Sequence, residues 1–128
     1  NNLFDLYGET YFRKIEKKII LDLQHKNNII LSLGGGSILN EEVREFIKNN
    51  FISVFLDVDI ATLIDRLKNS RKRPLILNTD IGKKIKELDT KRRKYYLLAD
   101  IILTKYNSSS ETLSQFLEEY NRFNEKNN

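Results

Sequence analysis

The sequence contains no cysteine, no methionine and no tryptophan, and only one proline and one histidine. Without cysteine the chain can form neither a disulfide framework nor a thiolate metal site. His25 alone cannot make a zinc centre, which needs several nitrogen or sulfur ligands. The composition is compatible with a reducing compartment, and we expect a cytoplasmic protein.

Long apolar runs are also absent. No stretch approaches the roughly 20 apolar residues that a membrane span needs, and the first residues show no signal-peptide pattern. We therefore expect no membrane partner. At 128 residues the chain is long enough for one domain with a real core. Because the chain starts at Asn1 and contains no methionine, we expect that it is not a complete primary product, so that either its amino end was removed or the sequence is partial.

Positive charge is concentrated in two places, residues 71–73 and 91–94, within a net charge of +4. Such basic clusters can bind phosphate, either on a nucleotide or on nucleic acid. Acidic residues are spread through the rest of the chain, and motifs for base stacking or groove reading are lacking. A small basic nucleic-acid binder is therefore the weakest of the functional hypotheses.

The run from Ile29 to Ser37 is apolar and ends in the three glycines Gly34, Gly35 and Gly36. It predicts a buried strand, Ile29 to Leu33, in a parallel sheet. Glycines at the carboxyl end of such a strand let a ligand lie directly on the backbone. A tight strand-to-helix turn is the alternative, but a turn needs fewer glycines. We favour a loop that faces a ligand.

Hydrophobic spacing and capping residues predict the other elements. Helices are expected from Glu9 to about Lys26, from a cap at Asn40 to about Asn49, from a cap at Asp59 through Leu67, from Ile81 to Leu98, and from Ser110 through Tyr120. Strands are expected at Phe51 to Val58 and Ala99 to Tyr106. We expect Asn1 to Gly8 and residues 69–80 to be loops, and the tail from Asn121 to fray. This alternation predicts an α/β fold with a parallel three-layer sheet and helices on both faces.

Arginines occur in four short motifs that could carry chemistry, since the guanidinium fork can bind carboxylate or phosphate with two hydrogen bonds. Any one of these arginines, taken alone, is most simply explained as a solvent-exposed surface residue. Arg13 and Glu16 share a helix face and could be only a surface ion pair. The motifs are Gly8-Glu9-x-x-Phe12-Arg13-x-x-Glu16, Gly34-Gly35-Gly36, Arg66 with Arg73-Pro74-Leu75, and Arg92-x-x-x-Tyr96 before Ala99-Asp100.

In this order and spacing the four motifs resemble those of the shikimate kinases, and the resemblance runs from about Leu3 to Leu117. It implies a P-loop fold like that of the nucleoside monophosphate kinases, with three of the five strands present in this chain. The whole chain, 1–128, would then be a single partial kinase domain. Residues 1–28 would be its substrate-binding segment, 69–80 its lid loop, and 99–117 its last strand and carboxyl-terminal helix.

The same resemblance implies site residues for the acid substrate. Arg13 and Arg92 would hold the shikimate carboxylate, although Lys91 or Arg93 could take the second position. Glu16 would orient Arg13 and bind a substrate hydroxyl. The loop Gly34, Gly35 and Gly36 would support the ring, and Phe12, Pro74 and Leu75 would form an apolar wall.

For the nucleotide, the resemblance implies that Arg73 reaches the transferring phosphate from the lid and that Arg66 stacks on the adenine. The turn that starts at Asn107 would form the far wall of the adenine pocket. The implied reaction moves the γ-phosphoryl of MgATP to the 3-hydroxyl of shikimate, in a protein that we expect to be monomeric.

The family's P-loop, G-x-x-x-x-G-K-[ST], does not occur in this sequence, since Gly82-Lys83-Lys84 lacks both the earlier glycine and the Ser/Thr. We expect the ligands of Mg²⁺ to lie outside the chain, and the 128 residues alone to be poorly folded and inactive. Two alternatives remain. One is another small-molecule kinase of the gluconate type, and the other is a non-catalytic module, either a sensor of shikimate or quinate or a degenerate relative of the kinases.

Overall fold

Residues 2–69 and 81–127 are described by a computed structural model. They belong to two units, Asn1–Ile52 and Ser53–Asn128, and each unit is described by itself. Within these described ranges, no helix has the length and apolar character that a membrane crossing requires.

The first unit begins with helix α1, Asn2–Leu21, which Gly8 interrupts with a φ of 84° and a ψ of 171°. The prediction of a loop from Asn1 to Gly8 is therefore wrong, because the chain is helical on both sides of this glycine. Only glycine adopts such a conformation readily, and the break lets two helical segments join. A 3₁₀ helix, Asp22–His25, follows α1.

The prediction of a strand from Ile29 to Leu33 is wrong for the described structure. These residues carry no regular secondary structure, and Ile30 is fully exposed at 101% of its reference area. A strand exists only where a neighbour completes its hydrogen-bond ladder. The described residues contain one two-stranded sheet, and this segment is not part of it. The described residues thus contain two strands, where the sequence predicted three.

Helix α2, Glu41–Asn50, confirms the predicted cap, since the Asn40 side chain accepts a hydrogen bond of 3.1 Å from the Val43 amide. A 3₁₀ helix, Ser37–Leu39, precedes it. The core of the unit contains Ile20 from α1 and Val43 and Ile47 from α2. This packing holds α1 against the segment that carries the three glycines.

The second unit contains the parallel pair β1, Val54–Leu56, and β2, Ile101–Leu103. Val54 pairs with Ile101 and Leu56 with Leu103. At the start of the pair, the Asp100 carboxylate accepts hydrogen bonds from the Ser53 amide at 2.9 Å and from the Ser53 hydroxyl at 3.3 Å. The predicted α/β class with parallel strands is confirmed, although both strands are shorter than expected.

Within the described part of this unit, the strands are accompanied by helices α3, Ile60–Lys68, α4, Ile81–Tyr96, and α5, Ser109–Lys126. Asp59 caps α3 as predicted, by accepting a hydrogen bond from the Thr62 amide. α5 begins at Ser109, one residue before the expected start at Ser110, and Ser108 is its cap. It continues to Lys126, so the expectation of a frayed tail from Asn121 is wrong.

Candidate functional site

Arg13 and Glu16 lie on one face of α1 and form a direct ion pair. Nη1 of Arg13 donates to Oε1 of Glu16 at 2.8 Å, and their side chains keep 30% and 18% of their exposure. Oε1 of Glu9 also lies 3.7 Å from Nε of Arg13. Both side chains have lost most of their contact with solvent. The attraction between their charges is therefore less screened than it would be in the exposed surface pair that the sequence left as an alternative. Arg13 is therefore held in position by carboxylates on its own helix.

The guanidinium of Arg13 lies directly on the backbone of Gly36. A Cβ built at residue 36 would come within 2.2 Å of Nη2 and 2.6 Å of Cζ of Arg13. No side chain can share that space, so residue 36 must be glycine for Arg13 to stay where it is. The ring of Phe12 lies 5.2 Å from Cζ of the same arginine. The structure thus brings Arg13 onto the glycine loop, and the binding roles expected for these residues stay predictions.

The carboxylate of Glu16 approaches the other end of the loop, at Gly34. A Cβ built there would lie 3.4 Å from Oε2 of Glu16 and 3.8 Å from Oγ of Ser37. We call Arg13, Glu16 and the loop Gly34 to Gly36 the glycine cradle. It presents a cation, a carboxylate and bare backbone side by side, an arrangement suited to a small acid that carries hydroxyl groups.

Ser37 was missed in the sequence, where it is only a small polar residue after the glycines. It is buried, with 2% of its area exposed, and its hydroxyl has no hydrogen-bond partner among the described residues. The sequence signal was weak because serine is common in turns for purely local reasons.

In the second unit, a cleft of about 680 Å³ contains both Arg66 and Asn107. Its apolar floor comes from the two strands and from α5, through Val54, Leu56, Leu103 and Phe116. The predicted adenine-site residues therefore share one cleft, which has the apolar character that a base requires. Their role as nucleotide ligands stays a prediction.

Tyr106 organises the polar side of this cleft. Nη2 of Arg66 donates to the Tyr106 carbonyl at 3.4 Å, and Cζ of Arg66 lies 5.9 Å from the Tyr106 ring. The Tyr106 hydroxyl donates to the carboxylate of Asp59. That hydrogen bond, followed by those from Thr62, lowers the pKa of Asp59 below its ordinary value. Tyr106 thus links the two ends of α3, and the sequence did not identify it.

The basic residues 91–93 of α4 differ in the partners that they contact. Nη2 of Arg93 lies 3.0 Å from Oδ2 of Asp57, Nη1 lies 3.3 Å from Oδ1, and Asp89 contacts the same guanidinium at 3.4 Å. Asp57, through this hydrogen bond and its charge, raises the pKa of Arg93 above its ordinary value. Lys91 is exposed. Arg92 has a buried Nε without a hydrogen-bond partner among residues 2–69 and 81–127.

Several predicted residues cannot be compared with the structure. Arg73, Pro74 and Leu75, and the predicted lid loop 69–80 apart from Asn69, lie outside the described residues. Within the described ranges, no group of three His, Asp or Glu side chains could hold a metal ion. No described residue is therefore assigned to magnesium.

Comparison with known proteins decides the family. The family model described as Shikimate kinase matches residues 1–121. The chain belongs to the shikimate kinase family.

It is 36% identical over 115 residues to a shikimate kinase of Aquifex aeolicus, covering 90% of this chain and 67% of that protein. A shikimate kinase of Bartonella henselae is 32% identical, with 88% of this chain and 54% of that protein covered. The chain thus spans between about half and two thirds of the length of these relatives.

Solved structures of shikimate kinases have the same fold. The crystal structure from Aquifex aeolicus superimposes with a TM-score of 0.76 at 35% identity, covering 94% of this chain and 70% of that one. The Acinetobacter baumannii enzyme in complex with shikimate gives 0.81 at 25% identity, with 95% and 69% covered. The predicted α/β fold of the P-loop kinase type is confirmed by these neighbours.

Gly36→Ala should displace the Arg13 guanidinium while leaving the fold intact. The added Cβ would overlap only the end of a flexible side chain, which can swing away. We expect a changed ¹⁵N–¹H resonance of Arg13 Nε in NMR spectra and a nearly unchanged melting temperature. Gly34→Ala is the matched control, because a Cβ at residue 34 would lie 3.4 Å from its nearest neighbour, Oε2 of Glu16, which is an ordinary contact distance. An unaltered Arg13 resonance in Gly36→Ala would contradict the contact.

Proposed function

We propose that the protein containing this chain is a shikimate kinase that transfers the γ-phosphoryl group of MgATP to the 3-hydroxyl of shikimate, within aromatic amino-acid biosynthesis. The proposal rests on the position of the Arg13 guanidinium, which forms an ion pair with Glu16 and lies on the backbone of Gly36. This geometry suits a hydroxylated carboxylic acid, and it occurs in a chain of the shikimate kinase family.

In the proposed complex, the glycine cradle binds the acid substrate. Arg13 binds the carboxylate through its fork, and Glu16 fixes the orientation of that fork. Gly35 and Gly36 offer backbone to the ring and its hydroxyls, while Phe12 forms an apolar wall. The hydrogen bond between Arg13 and Glu16 supports this role, because the charge is positioned before substrate arrives and little ordering remains to be done on binding.

For the second carboxylate ligand we propose Arg92 rather than its neighbours. The guanidinium of Arg93 is engaged by Asp57 and Asp89, and Lys91 offers an ammonium instead of a planar fork. Arg92 carries a buried Nε that no described group satisfies. A buried donor of this kind is costly unless a partner arrives.

We propose that ATP binds in the cleft of the second unit, with Arg66 on the face of the adenine and Asn107 at the opposite wall. The apolar floor and the tethering of Arg66 by Tyr106 support this assignment. Arg73 is proposed to contact the transferring phosphate from the lid, with Pro74 and Leu75 beside the substrate. An arginine at a phosphoryl transition state can raise the rate by roughly 10³–10⁵.

Magnesium is proposed to arrive bound to the phosphates of ATP. When bound, the ion would neutralise charge on the phosphates. This chain's own residues would bind the acid, hold the adenine and neutralise phosphate charge. A cytoplasmic location and a monomeric state also stay proposals.

The direct test is an ADP-release assay of the full-length protein that contains this chain, with ATP and Mg²⁺. Shikimate should support turnover, and quinate and gluconate should not. Turnover with gluconate would point to the other small-molecule kinase considered above. Shikimate binding without turnover would indicate the sensing module and contradict the kinase proposal.

Arg13→Ala and Arg66→Ala should affect different substrates. Loss of Arg13 removes charged hydrogen bonds to the carboxylate, and the shikimate KM should rise by roughly 10- to 100-fold. Arg66→Ala should raise the ATP KM instead. Arg122→Ala is the control, since this arginine is 71% exposed and contacts Glu119 on the surface. Equal losses for both substrates in either variant would contradict the assignment.

Arg92→Ala and Arg93→Ala should also behave differently. Arg92→Ala should raise the shikimate KM and leave the melting temperature nearly unchanged. Arg93→Ala should lower the melting temperature, because it leaves Asp57 without its partner. These effects are measured by steady-state kinetics and by thermal unfolding. An increase in shikimate KM confined to Arg93→Ala would identify Arg93 as the ligand.

A further inference from the structure

Arg66 lies in the last turn of α3, and its side chain is exposed. An arginine side chain that is free to rotate loses conformational entropy when a ligand fixes it, and this loss weakens binding. Stacking of Arg66 on a base therefore depends on what holds the guanidinium before the nucleotide arrives. Tyr106 contacts it twice, because Nη2 donates to the Tyr106 carbonyl at 3.4 Å and Cζ lies 5.9 Å from the Tyr106 ring.

The backbone that leads into Tyr106 is fixed from α5. The amides of Thr104 and Lys105 both donate to Oε1 of Gln115, each at 2.9 Å. This fork holds the end of β2 and the residues after it without involving the Tyr106 side chain. The ring needs an anchor of its own, since rotation about its side-chain torsions would carry it away from Arg66 without moving the backbone.

The Asp59 carboxylate supplies that anchor. Its Oδ2 accepts from the Tyr106 hydroxyl, while its Oδ1 accepts from the Thr62 amide at 2.7 Å as the cap of α3. The two oxygens therefore have separate partners. The hydrogen bond from Tyr106 is the largest cause that lowers the pKa of Asp59, so the carboxylate is ionised at neutral pH and the bond is charge-assisted.

Tyr106 also borders two clefts of opposite character. One is the apolar cleft of about 680 Å³ that contains Arg66, and the other, of about 420 Å³, is lined by Asp57, Asp59 and Asp89. Carboxylates attract a guanidinium, so the second cleft offers Arg66 a competing position. With its hydroxyl on Asp59, Tyr106 occupies one of these oxygens and keeps its ring beside Arg66.

We propose that Asp59 and Tyr106 are positioning residues for the adenine of ATP. The Asp59 carboxylate fixes the Tyr106 hydroxyl, the fixed ring holds the Arg66 guanidinium, and the guanidinium stacks on the base. The pair therefore acts on the base of the nucleotide and not on its phosphates. The inference rests on the proposed function, since it concerns the same ATP cleft.

Tyr106→Phe in the full-length protein tests this inference, because it removes the hydroxyl and keeps the ring and the carbonyl. We expect the dissociation constant for MgADP, measured by calorimetry, to rise by roughly 2- to 5-fold, the size of an exposed cation–π contact. The inhibition constant of tripolyphosphate, which has phosphates without a base, should not change, and neither should the shikimate KM. Tyr120→Phe is the matched control, since its ring stacks on Phe116.

Asp59→Asn separates the positioning role from helix capping. Asparagine caps helices as well as aspartate does, so the melting temperature should stay nearly unchanged. With its oxygen on the Thr62 amide, asparagine presents to the Tyr106 hydroxyl a nitrogen that cannot accept a hydrogen bond. MgADP affinity should therefore fall as it does in Tyr106→Phe. The double variant should be no weaker than either single variant, because both changes remove the same bond.

Three results would overturn the inference. The first is wild-type affinity of Tyr106→Phe for MgADP. The second is equal weakening of MgADP and tripolyphosphate, which would indicate a merely structural role. The third is additive losses in the double variant, which would mean that the two residues act separately. Failure of the proposed function is distinguishable, since the wild-type protein would then not phosphorylate shikimate, whereas the MgADP measurements need no shikimate.

Discussion

The contact between the Arg13 guanidinium and the backbone of Gly36 is the constraint on which the first unit depends. It requires helix α1 to present Arg13 and Glu16 on one face, which their spacing of three residues allows. It also requires that residue 36 have no side chain, because the guanidinium lies where a Cβ would be. The packing of Ile20 against Val43 and Ile47 holds the two segments at that distance. A permanent charge is thereby kept half-buried without losing its carboxylate partner.

In the second unit, the ends of the two parallel strands have a similar organising role. Asp57 and Asp59 follow β1, and Tyr106 comes after β2. Asp57 fixes Arg93 on α4, while Asp59 caps α3 and accepts the hydroxyl of Tyr106. Ligands of open α/β sheets bind at the carboxyl ends of the strands, and here those ends also anchor the helices whose arginines we propose as ligands.

The predictions that failed all depended on partners that a local pattern does not contain. Ile29 to Leu33 has the composition of a buried strand, but a strand forms only with a neighbour, and the described residues provide none for it. Asn1 to Gly8 was expected to be a loop, whereas the chain accommodates Gly8 as a break within α1. Helix caps were predicted well at Asn40 and Asp59, because a cap involves only residues three positions apart.

The sequence by itself determined the motifs, the family they resemble, and the pairing of Arg13 with Glu16, because these depend on residue identity and on spacing along one helix or loop. The approach of that pair to the three glycines depends on packing between separate segments. Only the tertiary structure separated Arg93 from Arg92, since the carboxylate that engages Arg93 lies 36 positions away in sequence. It alone showed that Ser37 is buried beside Gly34 and that Tyr106 holds Arg66. Burial and long-range hydrogen bonds arise from packing, and no local pattern encodes which of several similar side chains will find a partner.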